Sequence, residues 1–324
     1  MAERGVVLHV PEDWLSPDSD AVLPFYRKLT AGFDEIGVAW RMEAINRDAA
    51  QERVAEDDWF HIYNHGQVQH ERAMNAGIAY VYPFWNVDPM GIRAQSSIAD
   101  KRFLAGQVDD EKARKFFGKL RRRLMDQRTS RYAQPEEHTT IPDDSIAVFF
   151  QSEEHRGVEE TCYMDRWTML ETVLKNWEGS VVVKPHPKDH DPMMGARLDE
   201  MQKINPDLHV VTGNIHDIIA QCQRVVTINS AVGIEAYMHR KPVILCGQAD
   251  FHHVADVAKT PEMLEVLLEQ EPRGRVYAKY LYWYFGLQCL DASRRDKVLA
   301  RQVVRRMAAQ GYDVKASGKK LAAE

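Results

Sequence analysis

Short apolar runs and amphipathic stretches alternate along this chain. Residues 6–10 (VVLHV) read as a strand, and residues 20–36 follow with Leu23, Tyr26, Leu29 and Phe33 at helical spacing. Residues 38–44 predict a second strand and residues 47–55 a polar helix. Two more strands are expected at 59–63 and 78–82, each running into a loop rich in polar and aromatic residues. Such a strand–helix rhythm predicts a parallel sheet with helices on both faces.

Residues 109–128 predict a helix with acids at its start and Arg121, Arg122 and Arg123 near its end. That charge order suits the helix dipole and needs no nucleic acid to explain it. The polar stretch RYAQPEEHTTIPDDS (131–145) holds two prolines and reads as a linker. Beyond it the rhythm restarts, with strands expected at 145–150, 181–183, 209–212, 224–228 and 242–246. Helices are expected at 163–177, 196–204, 215–221 and 234–240. Two further helices follow residue 275, the first crowded with Tyr277, Tyr280, Tyr282, Trp283, Tyr284 and Phe285, a density typical of packing surface. The expectation is an α/β protein of two facing Rossmann-like domains with parallel sheets and C-terminal helices. The first would span 1–140, the second 141–291, and a helix near 292–317 would pack back on the first. In such folds ligands sit beyond the carboxyl ends of the strands, here in a cleft between the domains.

Composition narrows the class. The 324 residues, 44% hydrophobic and 28% charged, are those of a globular protein, and a formal charge of −6 argues against a broad nucleic-acid-binding face. Cys162, Cys222, Cys246 and Cys289 are scattered without paired spacing, so reduced buried thiols are expected. No apolar run approaches the roughly 20 residues of a bilayer span, and the first residues do not resemble a signal peptide. A cytoplasmic protein is expected, peripheral at the inner membrane through partners.

The chemistry-bearing residues fall at predicted strand ends. In GSVVVKPHPKDHD (179–191) prolines flank His186, fixing the backbone and presenting one imidazole beside Lys184. A phosphate held by charge-assisted donors, a metal site using His186, Asp189, His190 and Asp191, and a merely rigid loop are the three readings. The metal reading is the weakest, because ligands crowded into one turn cannot all surround one ion. In TINSAVGIEAY (227–237) Asn229 and Ser230 end a strand where a helix begins. Ser230 would cap that helix, Gly233 would permit close backbone approach, and Glu235 could accept hydrogen bonds from ribose hydroxyls. FFQSEEH (149–155) brings Gln151, Glu153 and Glu154 to another strand end. PFWNVDPMGIRAQSS (83–97) brings Trp85, Asn86, Asp88, Arg93, Ser96 and Ser97 to the facing wall, where a carboxylate such as Asp88 would act as base or nucleophile, or else hold a turn before Pro89. YNHG (63–66) is a weaker loop of the same kind.

Taken in order, Gln151-x-Glu153, Lys184-Pro185-His186-Pro187 and Asn229-Ser230-x-x-Gly233-x-Glu235-Ala236 resemble the bacterial capsule polysaccharide biosynthesis/export family, which includes retaining Kdo transferases. The likeness runs from about residue 145 to 290, with an echo in 85–97, and the His-Pro and Ser elements are shared with bacterial sialyltransferases and teichoic-type polymerases. The resemblance implies a GT-B architecture and a metal-independent glycosyltransferase with a CMP-activated donor, CMP-Kdo or a related acidic sugar. No cofactor other than this donor substrate is implied. His186, Ser230 and Asn229 would hold the CMP phosphate with Lys184 in support, Glu235 the ribose, and Gln151, Glu153 and Gly233 would line the donor pocket. Asp88, with His186, would be catalytic, and Asn86, Arg93 and Ser96 would face a glycan or glycolipid acceptor. The partners implied are the nucleotide sugar, that acceptor and membrane-bound polysaccharide assembly machinery, with no nucleic acid. Competing expectations are a CDP-polyol phosphotransferase of the teichoic type, a UDP-sugar enzyme, and a non-catalytic nucleotide-binding component of an export machine.

Overall fold

A computed structural model describes residues 4–16, 19–130, 132–152 and 161–314. Contacts divide the chain into two compact units, residues 1–101 with 285–324, and residues 102–284. Residues 102–140 therefore group with the second sheet, not the first, so the segment read as a linker lies inside the second unit.

The first unit is built on β1 (Gly5–Val10), α1 (Pro24–Ile36), β2 (Ala39–Ala44), α2 (Ala50–Ala55), β3 (Phe60–Asn64), β4 (Ala73–Ile78) and β5 (Phe84–Asp88). Pro24 opens α1 at a position where its missing donor costs nothing, and Gly37 ends it with φ of 70°. Strands β1 to β4 are parallel, whereas β5 runs antiparallel to β4. The strand expected at 78–82 is absent. Residues 79–83 are the turn between β4 and β5, with Tyr80 at φ 64°.

The second unit begins with α3 (Asp110–Leu124), whose N-cap Asp109 accepts from the Lys112 amide at 2.8 Å. It continues through β6 (Ile146–Phe149), α4 (Arg166–Asn176), β7 (Val181–Lys184), α5 (Met194–Ile204), β8 (Leu208–Val210), α6 (Ile215–Gln221) and β9 (Arg224–Thr227). Then come α7 (Val232–Met238), β10 (Val243–Leu245), β11 (Asp256–Val257), α8 (Pro261–Glu269) and α9 (Tyr277–Leu281). Its six strands are all parallel in the order β8-β7-β6-β9-β10-β11, the dinucleotide-fold order with a switch point between β6 and β9.

The aromatic stretch after α9 is a π-helical turn, Tyr282–Gln288, in which the division between the units falls. The chain then adds β12 (Leu290–Asp291) antiparallel to β5 and ends its described part in α10 (Asp296–Ala309). The first sheet thus reads β2-β1-β3-β4-β5-β12.

Strand alternation decides where each unit buries its apolar surface. In the first unit Val6, Leu8, Phe60, Ile62 and Met74 share a core with Phe25, Leu29 and Phe33 of α1 and Leu299, Val303 and Met307 of α10. In the second, Ile146, Val148, Val181, Val183 and Val226 pack with Leu170 and Val173 of α4 and Leu264 of α8. Helix α10 approaches α1 so closely that a Cβ on Gly32 would lie 2.2 Å from the Asp296 carbonyl oxygen. Backbone cannot retreat as a flexible side chain does. Gly32→Ala is therefore expected to cost about 1–3 kcal/mol in urea unfolding; wild-type stability in that variant would show that the helices do not approach so closely.

Candidate functional site

Register aligns the strand ends of the second sheet. Phe149 of β6 pairs with Lys184 of β7 on one side and with Thr227 of β9 on the other. Gln151, His186 and Asn229 each lie two residues past that common line, at the carboxyl edge and around the switch point. The Thr227 hydroxyl donates to the Phe149 carbonyl at 2.9 Å and ties β9 to β6 there.

Gln151 is 5% exposed, and its Oε1 accepts the Asn229 backbone N–H at 3.2 Å. That bond fixes which end of the amide faces β9. The buried Nε2 then has no hydrogen-bond partner among the described residues. A buried donor left unsatisfied costs roughly 1–3 kcal/mol, which a ligand acceptor would recover. The Asn229 side chain donates to the Gln248 carbonyl at 2.9 Å and so bridges to the loop after β10. Ser230 accepts the Val232 amide at 3.4 Å, but it is not the cap of the seven-residue α7, whose N-cap position is Ala231 and has no side-chain cap bond.

The His186 Nδ1 accepts the Lys188 amide at 3.2 Å, so in the neutral ring Nε2 carries the proton and is a donor. Its ring meets Tyr132 edge to face at 5.1 Å. Lys184 is used differently from expectation: its ammonium donates to the Thr212 and Gly213 carbonyls at 3.0 and 2.7 Å, holding the end of β8, and burial lowers its pKa. Asp189 and Asp191, candidate ligands in the metal reading, are both bonded to the buried guanidinium of Arg166. Among the described residues no group of three or more His, Cys, Asp and Glu is placed to hold a metal ion.

Glu235 is 4% exposed, and burial raises its carboxyl to about 7 against the opposing hydrogen bond from Ser130. Ser130 lies in the stretch fastened over this edge by Arg128 on Asp217 (2.7 Å), His216 on the Thr129 carbonyl (2.9 Å) and Asn214 on the Pro135 carbonyl (3.2 Å). A cavity of about 330 Å³ lies against it, lined by residues that include Arg128, Ser130, Tyr132, Gln134 and Asn214. Gly233 is explained by packing: a Cβ there would lie 2.8 Å from the Phe251 ring. Glu153, with Glu154 and His155, falls outside the described residues.

The candidates of the first unit are built into a turn. Although β5 is antiparallel, Asp88 lies opposite Asn75, which is level with Tyr63 and His9, one residue before β3 and β1 end. Its carboxylate accepts the Met90 and Ser97 amides, both at 2.9 Å, and the Ser97 hydroxyl at 2.6 Å. Asn86 accepts the Arg93 amide at 3.0 Å, and Arg93 donates to the Ile78 carbonyl at 3.2 Å. Ser96 is 2% exposed and Trp85 is stacked on Phe25. These bonds set the shape of the turn that carries Asn86, Asp88, Arg93 and Ser96.

The expected site residues omit a buried polar face. His9, on β1, and Tyr63, on β3, flank the switch point of the first sheet and stack at 4.0 Å. His61 donates through Nε2 to Asp57 at 3.1 Å, so its Nδ1 must accept from His9 Nε2 at 2.8 Å. Arg53 and Arg41 each bind both Glu43 and Asp57. Burial, with each other's proximity and the arginines, lowers His9 to about 3, and burial lowers His61 to about 4 against the opposing Asp57 bond. The signal was available: polar residues at 9, 41, 43 and 61 alternate, marking a polar sheet face.

Comparison with known proteins follows this geometry. Residues 150–282, which carry the Gln151, Lys184–Glu235 and aromatic elements, match the family model described as capsule polysaccharide biosynthesis protein. Two solved structures from Thermosulfurimonas dismutans resemble the fold, the KpsC beta Kdo 2,7 transferase and the KpsC beta Kdo 2,4 transferase. The first has a TM-score of 0.54 and 14% identity, covering 86% of this chain and 89% of that one; the second has 0.53 and 14%, covering 86% and 90%. At this identity the likeness speaks for the fold: two mostly parallel α/β sheets of GT-B type. No curated protein matches the chain in sequence. No helix among the described residues is long and apolar enough to cross a membrane.

Neutral buried histidines make the first unit acid-sensitive. The unfolded histidines bind protons near pH 6.5, the folded ones only near 3 to 4, so the unfolded state takes up more protons as pH falls. Stability is expected to hold above about pH 6.5 and to fall by up to ~2.7 kcal/mol per pH unit below it. Urea midpoints unchanged down to about pH 5 would contradict the buried relay.

Proposed function

We propose that this protein is a glycosyltransferase of capsule or surface polysaccharide biosynthesis that takes a CMP-activated acidic sugar, Kdo or a relative, as donor. The observation that carries the reading is the unsatisfied Gln151 amide at the switch point, level with His186 and Asn229 on the adjoining strand ends. A phosphoryl oxygen seated there accepts from Gln151 Nε2 and His186 Nε2, beside the Ser230 turn. Glu235 then exchanges its Ser130 hydrogen bond for the ribose hydroxyls of the same nucleotide. Matching of residues 150–282 to the capsule family model supports the assignment.

In the reaction the bond between the anomeric carbon and the phosphate oxygen breaks, and its electron pair leaves with CMP. The acceptor oxygen bonds to the anomeric carbon, and its proton passes to the departing phosphate oxygen. The contribution of the second unit is electrostatic: donors held in place before reaction meet the charge that develops on the leaving phosphate. Lys184 acts at one remove, by holding the β8 turn. Asp88, tied to three donors, supports the Pro83–Ser97 turn of the first unit, where Asn86 and Arg93 would meet the acceptor.

CMP is expected to raise the melting temperature more than UMP. The protein should release CMP from CMP-Kdo or CMP-sialic acid, and leave CDP-glycerol and UDP-sugars intact. Gln151→Ala and His186→Ala should each weaken CMP binding by roughly 10- to 100-fold, the range for a lost charge-assisted hydrogen bond, with circular dichroism unchanged. Turnover of CDP-glycerol alone would assign a polyol phosphotransferase instead, and CMP binding indifferent to both substitutions would remove the site.

A further inference from the structure

The solvent face of α3 carries Lys112, Lys115, Lys119, Arg122 and Arg123, all exposed. At about 100° per residue they share one side of the helix, opposite the buried Ala113, Phe117, Leu120 and Leu124. The stripe is about 16 Å long at ~1.5 Å per residue. Among the described residues, Glu111 pairs with Lys115 at 2.5 Å and Asp110 with Lys279 at 3.1 Å. The helix dipole explains basic residues in the last turn, but not Lys112, Lys115 and Lys119 in the first and middle turns, where positive charge is not favoured. The stripe also opposes the overall charge of −6. Half-buried Phe116 and Tyr282 pair at 5.6 Å along one margin.

We propose that this face of α3 docks the protein on an anionic lipid bilayer. A straight, convex row of flexible cationic side chains matches a plane of phosphate headgroups. A glycan or small anion is instead recognised in a concave site. The aromatic pair at the margin suits the headgroup level, where tyrosine is enriched. The stripe itself presents no exposed apolar side chain, so attachment is electrostatic, grows with each basic residue and is screened within a Debye length. This inference stands apart from the glycosyltransferase reading, since adsorption requires no sugar chemistry.

Co-sedimentation with vesicles tests it. The full chain should bind phosphatidylcholine vesicles containing phosphatidylglycerol at about 0.1 M salt, ignore pure phosphatidylcholine, and be released at about 0.5 M salt. The double variant Lys119→Glu with Arg122→Glu should bind roughly tenfold more weakly or worse, with unchanged melting temperature and CMP binding. The milder Lys115→Gln with Lys119→Gln should fall between. Failure of the wild-type chain to bind anionic vesicles overturns the proposal, as does equal binding by the charge-reversed variant. Binding to heparin without binding to vesicles would assign the face to a polyanion and also overturn it.

Discussion

Parallel strands joined by right-handed crossovers must turn at the same edge of their sheet. That constraint brings Gln151, His186 and Asn229 level with one another although 78 residues separate the first from the last. Their alignment needs no direct contact with each other, because the ladder through Phe149 sets it from below. It also explains why the donor atoms are rigid. Each is two residues beyond a strand whose side chains are buried on both faces, so movement of the turn would have to disturb Val148, Val183 or Val226.

A second constraint anchors the proline-flanked turn. Arg166, in the first turn of α4, is 5% exposed and cannot remain uncompensated there. Asp189 and Asp191, which follow His186 closely, supply the two carboxylates it requires. The buried charge therefore pins the far side of the loop, while Lys188 fixes the near side through the imidazole tautomer. Residues that look like metal ligands in a linear reading are consumed in holding the histidine still.

Legibility followed the strength of local patterns. The strands of the second unit stood out because four-residue apolar runs between amphipathic helices have one economical arrangement, and the strand-end placement of Gln151, His186 and Asn229 came with them. Strand direction was not legible: nothing local in FWNVD tells that β5 reverses, although Asp88 still ends level with His9 and Tyr63 near the ends of β1 and β3. The polar segment 131–145 looked like a linker because composition cannot register the bonds from Asn214, Gln221 and Asp217 that fasten it. Gly233 looked like a site for close ligand approach, whereas the Phe251 ring fills the space. His9 was hidden in an apolar run, and only the alternation across β1, β2 and β3 marks its face as polar.

Buried ionisable groups of opposite sense coexist in the chain, since burial lowers His216 and His239 of the second unit as well while it raises Glu235. His9 and His61 are neutral in the folded first unit, so acid favours its unfolding as they charge. Glu235 is raised to about 7 in the second unit, above its unfolded value, so its folded state holds the extra proton. That contribution is present below the unfolded carboxylate range and is lost as pH rises through about 7. Between roughly pH 5 and 7 a falling pH therefore weakens the histidine relay while it favours the buried Glu235 carboxyl. Above pH 7 the ionised Glu235 depends instead on the hydrogen bond from Ser130. A hydrogen-bond donor beside the desolvated carboxylate compensates its charge, and burial of this one side chain in α7 therefore sets the demand for such a partner.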